Sequence, residues 1–228
     1  MSKISSANFD YLNKIALNNN RDWFAENKEE YLKQHQNMID FADDLLLRVN
    51  KHDNIETLNG KKSLYRIYRD VRFSKNKDPY KTHWAGGFKR ATKQLRGGYY
   101  FHIAPGNNSM IAGGFWNPNK EDLLRIREDI AIDNSELRSI ISNKNFVATF
   151  DELKGEQLKT APKGFPKDHK AIDLLRFKQF IVWRNFTDKE VLSNNFTQLA
   201  DNTFKTMRPF LDYMSEVLTT DLNGSPIT

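Results

Sequence analysis

The residues best suited to chemistry in this chain are cations that lie close together in one stretch. Three arginines recur at intervals of three, and a lysine-rich turn ending in Asp-Pro follows them; the cations are Arg66, Arg69, Arg72, Lys77 and Lys81. Arginine offers a planar fork of donors that suits a carboxylate or a phosphate, and lysine adds a compact positive charge. A strand followed by a loop could aim several of these groups at one anion. The pattern predicts an anion-binding site over 66–81.

The charge distribution of the whole chain favours the same interpretation. The net charge is +6, yet the stretch 61–96 holds 12 Lys/Arg and 2 Asp/Glu, while the rest holds 23 basic and 27 acidic residues. This asymmetry indicates an anionic partner. Aromatic side chains that could stack on bases interleave the cations, which suggests nucleic acid as one such partner. These aromatic residues are Tyr65, Tyr68, Phe73, Tyr80 and Trp84.

The same arginines have a purely structural interpretation. Guanidinium groups often pair with carboxylates inside the protein, and lysines in a turn are usually solvated. The internal partners of Arg66, Arg69 and Arg72 would then be Asp22, Glu26 and Asp70. The residues themselves leave both the ligand site and the internal ion network open.

A second candidate region is the loop 158–169. Three lysines, Lys159, Lys163 and Lys167, lie four residues apart among two prolines, and His169 ends the loop. Loops on a rigid scaffold often carry function, so this loop either covers a pocket or is a long crossover. Lys159 joins the predicted ligand-binding residues. The candidates for moving protons are Asp70, Tyr80 and His169.

Several kinds of site are not indicated. The chain has no cysteine, which excludes disulfides, thiolate zinc sites and cysteine nucleophiles. No phosphate-binding loop, dinucleotide fingerprint or zinc-protease motif is present, and no two histidines have helical ligand spacing. His102 alternates with Tyr100, as in a sheet. No metal site is predicted, and the sequence identifies no cofactor.

Helices at both ends and in the middle enclose a mostly antiparallel sheet in the predicted α+β fold, taken as a single domain over 1–228. Asn20 is the expected N-cap of a long helix that reaches Val49. Pro209 is expected to kink or divide the last helix. The other predicted helices are 9–17, from 119 onward, 171–177 and 196–217, and the predicted strands begin at Ser63 and include 84–88, 99–104, 109–115 and 179–184.

Apolar runs in this chain are short. The longest is about Leu45 to Leu47, whereas a membrane span needs roughly 20 apolar residues. The N-terminus lacks an apolar signal core. We therefore expect a cytoplasmic protein without membrane contact, and the oligomeric state stays open.

Three long motifs resemble those of the domain-of-unknown-function 2461 family, found in bacteria and fungi. They are 18–31, which opens with Asn18-Asn19-Asn20-Arg21-Asp22-Trp23-Phe24, the run 66–83 and the loop 158–169. The similarity covers roughly Phe9 to Leu218. The chain departs from the family pattern at Asn76, Asp78 and Lys170, which weakens any role for a carboxylate at 76 or for a rigid turn after His169.

This resemblance implies no reaction, cofactor or catalytic residue. The working hypothesis is therefore an enzyme that acts on a small phosphorylated or carboxylated substrate held by the basic motif of 66–81. The alternative is a non-catalytic binding module for nucleic acid or another anionic ligand.

Overall fold

The computed structural model describes residues 3–221 and 225–227. Within them the chain forms ten helices and a four-stranded antiparallel sheet, which confirms the α+β class. The helices are α1 (Ser6–Leu17), α2 (Arg21–Glu26), α3 (Lys28–Val49), α4 (Gly60–Ser63), α5 (Lys120–Ile132), α6 (Ser135–Ile141), α7 (Lys144–Phe150), α8 (Ile172–Leu175), α9 (Asp188–Val191) and α10 (Phe196–Thr219). The strands are β1 (Trp84–Lys89), β2 (Gly98–Ile103), β3 (Ser109–Phe115) and β4 (Phe180–Phe186), hydrogen-bonded in the order β1-β2-β3-β4.

The chain divides into two compact units, each assembled from separated stretches of sequence. The first consists of the residues up to Phe88 together with 100–111 and 185–202. The second consists of 89–99, 112–184 and the residues from Thr203 onward. The basic segment 66–81 therefore lies in the first unit, whereas Lys159 and His169 belong to the second. The single domain over 1–228 stays a prediction.

In the first unit, asparagine caps and helical apolar spacing shape the N-terminal helices. The Asn20 side chain accepts the Trp23 N–H at 2.9 Å and so begins α2. Buried residues of α3 recur every three or four positions and form one face, which includes Met38, Ala42, Leu45 and Val49. Phe41 also points inward, and its ring lies 5.7 Å from that of Phe101 in β2. This face fixes α3 against the sheet strand.

Strand β2 separates a core face from a surface face. Tyr99, Phe101 and Ile103 are buried, whereas Tyr100 and His102 between them are only partly buried. Successive side chains of a strand point to opposite sides, so this alternation is what a strand with one buried face should show. Tyr100 and His102 therefore reach the surface of the first unit.

A fully buried arginine marks the second unit. The Arg90 guanidinium donates to an Asp212 carboxylate oxygen, to Ser215 Oγ at 3.1 Å and to the Arg96 carbonyl at 3.2 Å. Arg96 itself forms an ion pair with Asp122. Two arginines from the basic stretch of sequence are thus bound internally.

Most predicted elements are confirmed, including the hairpin of β2 and β3 and the helices at both ends. The long N-terminal helix is instead two helices that meet at Asn27, so Asn20 caps only the short first one. Pro209 lies inside α10, which runs without division from Phe196 to Thr219. Among the described residues, no helix has the length and apolar character that crossing a membrane requires.

Candidate functional site

The basic segment 66–81 is a loop held closed by its own two ends. Tyr68 and Tyr80 form an isolated antiparallel bridge, flanked by Arg69 N–H to the Pro79 carbonyl and Lys81 N–H to the Ile67 carbonyl, both at 2.8 Å. The predicted strand from Ser63 is wrong, because the chain there forms only isolated bridges. Pro79 has no N–H to donate, so a regular ladder cannot extend across it.

Asn19 attaches this loop to the N-terminal helices. Its side-chain amide donates to the Tyr80 carbonyl and its side-chain oxygen accepts the Tyr80 N–H, each at 3.0 Å. The Tyr80 ring then stacks on Phe24 of α2, with ring centroids 4.1 Å apart. The N-terminal asparagines therefore have structural roles, since Asn19 positions the loop and Asn20 caps α2.

The cations of the loop are not neutralised in the same way. Arg72 pairs with Asp70 through Nε at 3.0 Å and a terminal nitrogen at 2.6 Å. The others donate to backbone carbonyls: Arg69 to Asp78 at 2.9 Å, Lys77 to Val71 at 3.0 Å and Lys81 to Arg66 at 2.8 Å. Within the described part of the chain, no carboxylate forms an ion pair with Arg66, Arg69, Lys77 or Lys81. Their positive charges therefore remain available to a ligand.

Beside this loop lies a hollow of about 410 Å³, which we call the basic hollow. Its walls include Asn19, Arg69, Asp70, Asp78, Lys81 and His83. Two cations and two carboxylates face it, so the wall alone is formally balanced. The surrounding segment 66–81 has six Lys/Arg and two Asp, a net charge of +4, and this surplus decides the local field.

Burial and nearby positive charge together lower the pKa values of two groups in the hollow. Burial lowers the pKa of Lys81, and the nearby charge of Arg66 lowers it further. The pKa of His83 falls to about 4, first through burial and then through His102, Lys81 and Arg69. Nearby positive charges disfavour protonation of Lys81 and His83, and a bound anion would offset that repulsion.

The predicted proton-transfer residues lie in three different environments. The pKa of Asp70 is lowered, chiefly by its hydrogen bonds with Arg72, so this carboxyl is ionised at neutral pH. Tyr80 is only 4% exposed, and burial raises its pKa, so it stays protonated. His169 Nδ1 accepts the Ala171 N–H at 3.1 Å in the second unit. Lys159 is exposed in that unit.

Sequence reasoning missed His83 as a site residue. Its ring lines the basic hollow and stacks on His102 with ring centroids 4.2 Å apart. The sequence signal was its position at the end of the basic run, but the partner is 19 residues further along the chain. Only the pairing of neighbouring strand regions brings the two imidazoles together.

The second unit contains a larger cavity of opposite character. Its volume is about 760 Å³, and Phe165 of the 158–169 loop contributes to its wall. Five carboxylates and one arginine line it, namely Glu128, Asp129, Glu136, Glu216, Asp221 and Arg125. Tyr213 donates its hydroxyl to Asp129 at 2.5 Å, and burial raises the pKa of that carboxyl. An acidic cavity does not suit the predicted anion, so the smaller basic hollow is the better candidate despite its size.

In the described ranges 3–221 and 225–227, no group of three or more His, Asp or Glu side chains is arranged to hold a metal ion.

Comparison with known proteins identifies the family. No curated protein and no solved structure gives a significant match to the chain. The family model described as conserved hypothetical protein (DUF2461) matches residues 7–213, which is most of the sequence. The chain therefore belongs to the DUF2461 family of conserved hypothetical proteins.

Proposed function

We propose that the first unit binds a small phosphorylated or carboxylated molecule in the basic hollow. The supporting observation is that Arg69 and Lys81 line the hollow while donating to backbone carbonyls and, for Arg69, to the Ser74 hydroxyl, with no carboxylate among these acceptors. A carbonyl orients a cation without cancelling its charge. This supports an anion site, because the internal-network interpretation expects carboxylates of the protein to neutralise Arg69 and Lys81.

The neighbouring groups strengthen this argument. Asp70 is occupied by Arg72, so the carboxylate closest in sequence does not pair with the cations of the wall. Lys81 and His83 both have pKa values lowered in part by nearby positive charge. An anion beside Lys81 would gain a charge-assisted hydrogen bond and offset the repulsion among the surrounding cations at the same time.

Calorimetric titration with inorganic phosphate and with citrate, at constant ionic strength, tests the proposal. We expect both anions to bind, and Lys81→Gln to weaken binding about tenfold because it removes one charge-assisted contact. The matched control is Lys144→Gln, which removes an exposed lysine of α7 in the second unit. Absence of binding to the unmodified protein, or an equal loss in the control, would contradict the proposal.

A second candidate function is catalysis on the bound anion, and His83 is the observation that favours it. Because its pKa is about 4, the imidazole is neutral at pH 7 and can accept a proton. A bound anion would raise that pKa towards the range in which a general base works best.

Turnover of a panel of phosphate esters between acidic and alkaline pH examines this second candidate. We expect His83→Gln to abolish turnover while the affinity for inorganic phosphate changes little. Binding without turnover of any ester by the unmodified protein would favour a binding module instead.

A further inference from the structure

Four aromatic rings form a row on the surface of the first unit, and we call them the ring row. They are Tyr65, Tyr100, His102 and His83. Successive ring centroids lie 6.2, 6.4 and 4.2 Å apart along that order. All four belong to the first unit.

The ring row is exposed at its Tyr65 end and half-buried along the rest, and its rings are held in place. Tyr65 is 53% exposed, and Tyr100 and His102 come from the surface face of β2. The Tyr100 hydroxyl and His102 Nδ1 lie 3.3 Å apart, within hydrogen-bonding distance, which limits rotation of both rings. Burial lowers the pKa of His102 as it does that of His83, so both stacked imidazoles are uncharged at neutral pH.

The ring row adjoins the basic hollow at two of its members. His83 lines the hollow and is also the last ring of the row. Lys81 lines the hollow as well, and its Nζ lies 5.9 Å from the centroid of the Tyr65 ring. Aromatic rings and cationic donors therefore lie side by side, and a ligand that used both would need a flat ring joined to an anion.

We propose that the ligand of the basic hollow is a nucleotide unit, with its phosphate among the cations and its base stacked on the ring row. This inference rests on the proposed anion site and specifies its ligand class. Every base has a face that stacks on aromatic rings, and such stacking is a main source of affinity for unpaired bases. Duplex nucleic acid hides its bases in its own stack, so the nucleotide is either free or part of a single strand.

The test compares adenosine 5′-monophosphate, ribose 5-phosphate and inorganic phosphate by calorimetry. We expect the mononucleotide to bind about tenfold more tightly than ribose 5-phosphate, because only it carries a base. Tyr65→Leu should remove most of that difference, so that the variant binds the mononucleotide and ribose 5-phosphate with nearly equal affinity. Tyr100→Leu provides a second variant, and circular dichroism verifies that each protein is folded.

Phe73→Leu is the matched control. Phe73 is 96% exposed on the same loop but lies outside the ring row, so its loss should not alter mononucleotide affinity. If phosphate and ribose 5-phosphate bind but the mononucleotide binds no more tightly, the base-stacking proposal fails while the anion site stands. If none of the three ligands binds, both fail.

A short single-stranded oligoadenylate distinguishes the two sources of the nucleotide. Tighter binding than the mononucleotide, again reduced by Tyr65→Leu, supports the proposal and identifies a single strand as the ligand. Binding no tighter than the mononucleotide supports it with a free nucleotide as the ligand. Oligonucleotide binding that Tyr65→Leu and Tyr100→Leu leave unchanged overturns the stacking role.

Discussion

Arginines from one basic stretch of sequence have opposite environments in the two units. In the second unit, Arg90 is fully buried with an Asp212 carboxylate, and Arg96 pairs with Asp122. In the first unit, Arg66 is exposed, and Arg69 donates to a backbone carbonyl and a serine hydroxyl. Sequence spacing does not distinguish these groups, since all four lie between residues 61 and 96.

The difference shows how far a local charge surplus can be interpreted. Burial of a guanidinium is costly unless a carboxylate and further acceptors surround it, so Arg90 is bound internally. A surface arginine can keep its charge while a carbonyl orients it. The count over 61–96 therefore overstates the positive charge available to a ligand, because Arg90 and Arg96 are bound internally.

The largest expected effect is on the free energy of unfolding, and it distinguishes the buried Arg90 of the second unit from the exposed Arg66 of the first unit. Arg90→Met removes a buried cation that donates to Asp212, Ser215 and the Arg96 carbonyl, and should lower the free energy of unfolding by about 2–4 kcal/mol. Arg66→Met removes an exposed guanidinium and should change it by less than about 0.5 kcal/mol. Urea denaturation followed by circular dichroism measures both values.

The outcome for Arg66 decides whether the comparison holds. A loss comparable to that of Arg90→Met would show that the basic loop stabilises the fold, as the internal-network interpretation requires. Phosphate affinity measured on the same two proteins completes the control, because only the Arg66 variant should bind the anion less well.

Local patterns were sufficient to predict most of the fold. The buried face of α3 repeats at helical spacing, and the alternation of β2 appears directly in Tyr99 to Ile103. Asn20 was recognisable as a cap because its contact, Trp23, is three residues away. The division at Asn27 was not predicted, because the apolar repeat continues through it.

The geometry of the site depends on contacts that no local pattern contains. Asn19 holds Tyr80 from 61 residues away, and His83 stacks on His102 from a neighbouring strand. The sequence predicted these cations as a group and offered Asp70 as one internal partner, but not that Arg72 would take it and that, among the described residues, Arg66 and Arg69 would form no ion pair. Charge composition predicts a field, whereas long-range pairing decides which groups contribute to it.

The positive field of the first unit should also appear in the pH dependence of stability. The folded pKa of His83 is about 4, below its usual value near 6.5, because of burial and the charges of His102, Lys81 and Arg69. Between these values the unfolded chain binds more protons, so the free energy of unfolding falls as the pH falls from about 6.5 to 4. Below pH 4 this group adds no further loss.

Denaturation curves across this pH range for the unmodified protein and His83→Gln measure that contribution. We expect the variant to show a shallower fall, by on the order of 1 kcal/mol given the partial exposure of the ring. Saturating phosphate should also make the fall shallower in the unmodified protein, because the anion offsets the surrounding positive charge. Identical pH slopes in the two proteins would argue against a depressed pKa at His83.

The smallest expected effect concerns two aspartate–arginine ion pairs, one in each unit: Asp70 with Arg72, and Asp122 with Arg96. Asp70→Asn removes a negative charge from the wall of the basic hollow and releases Arg72, so phosphate affinity should rise about threefold. Asp122→Asn breaks the Arg96 pair of the second unit, where it should reduce stability and leave phosphate affinity unchanged. Calorimetry and urea denaturation on both variants test this contrast. A fall in phosphate affinity for Asp70→Asn would mean that Asp70 holds Arg72 in the binding geometry, and Arg72 would then belong to the site through its pair.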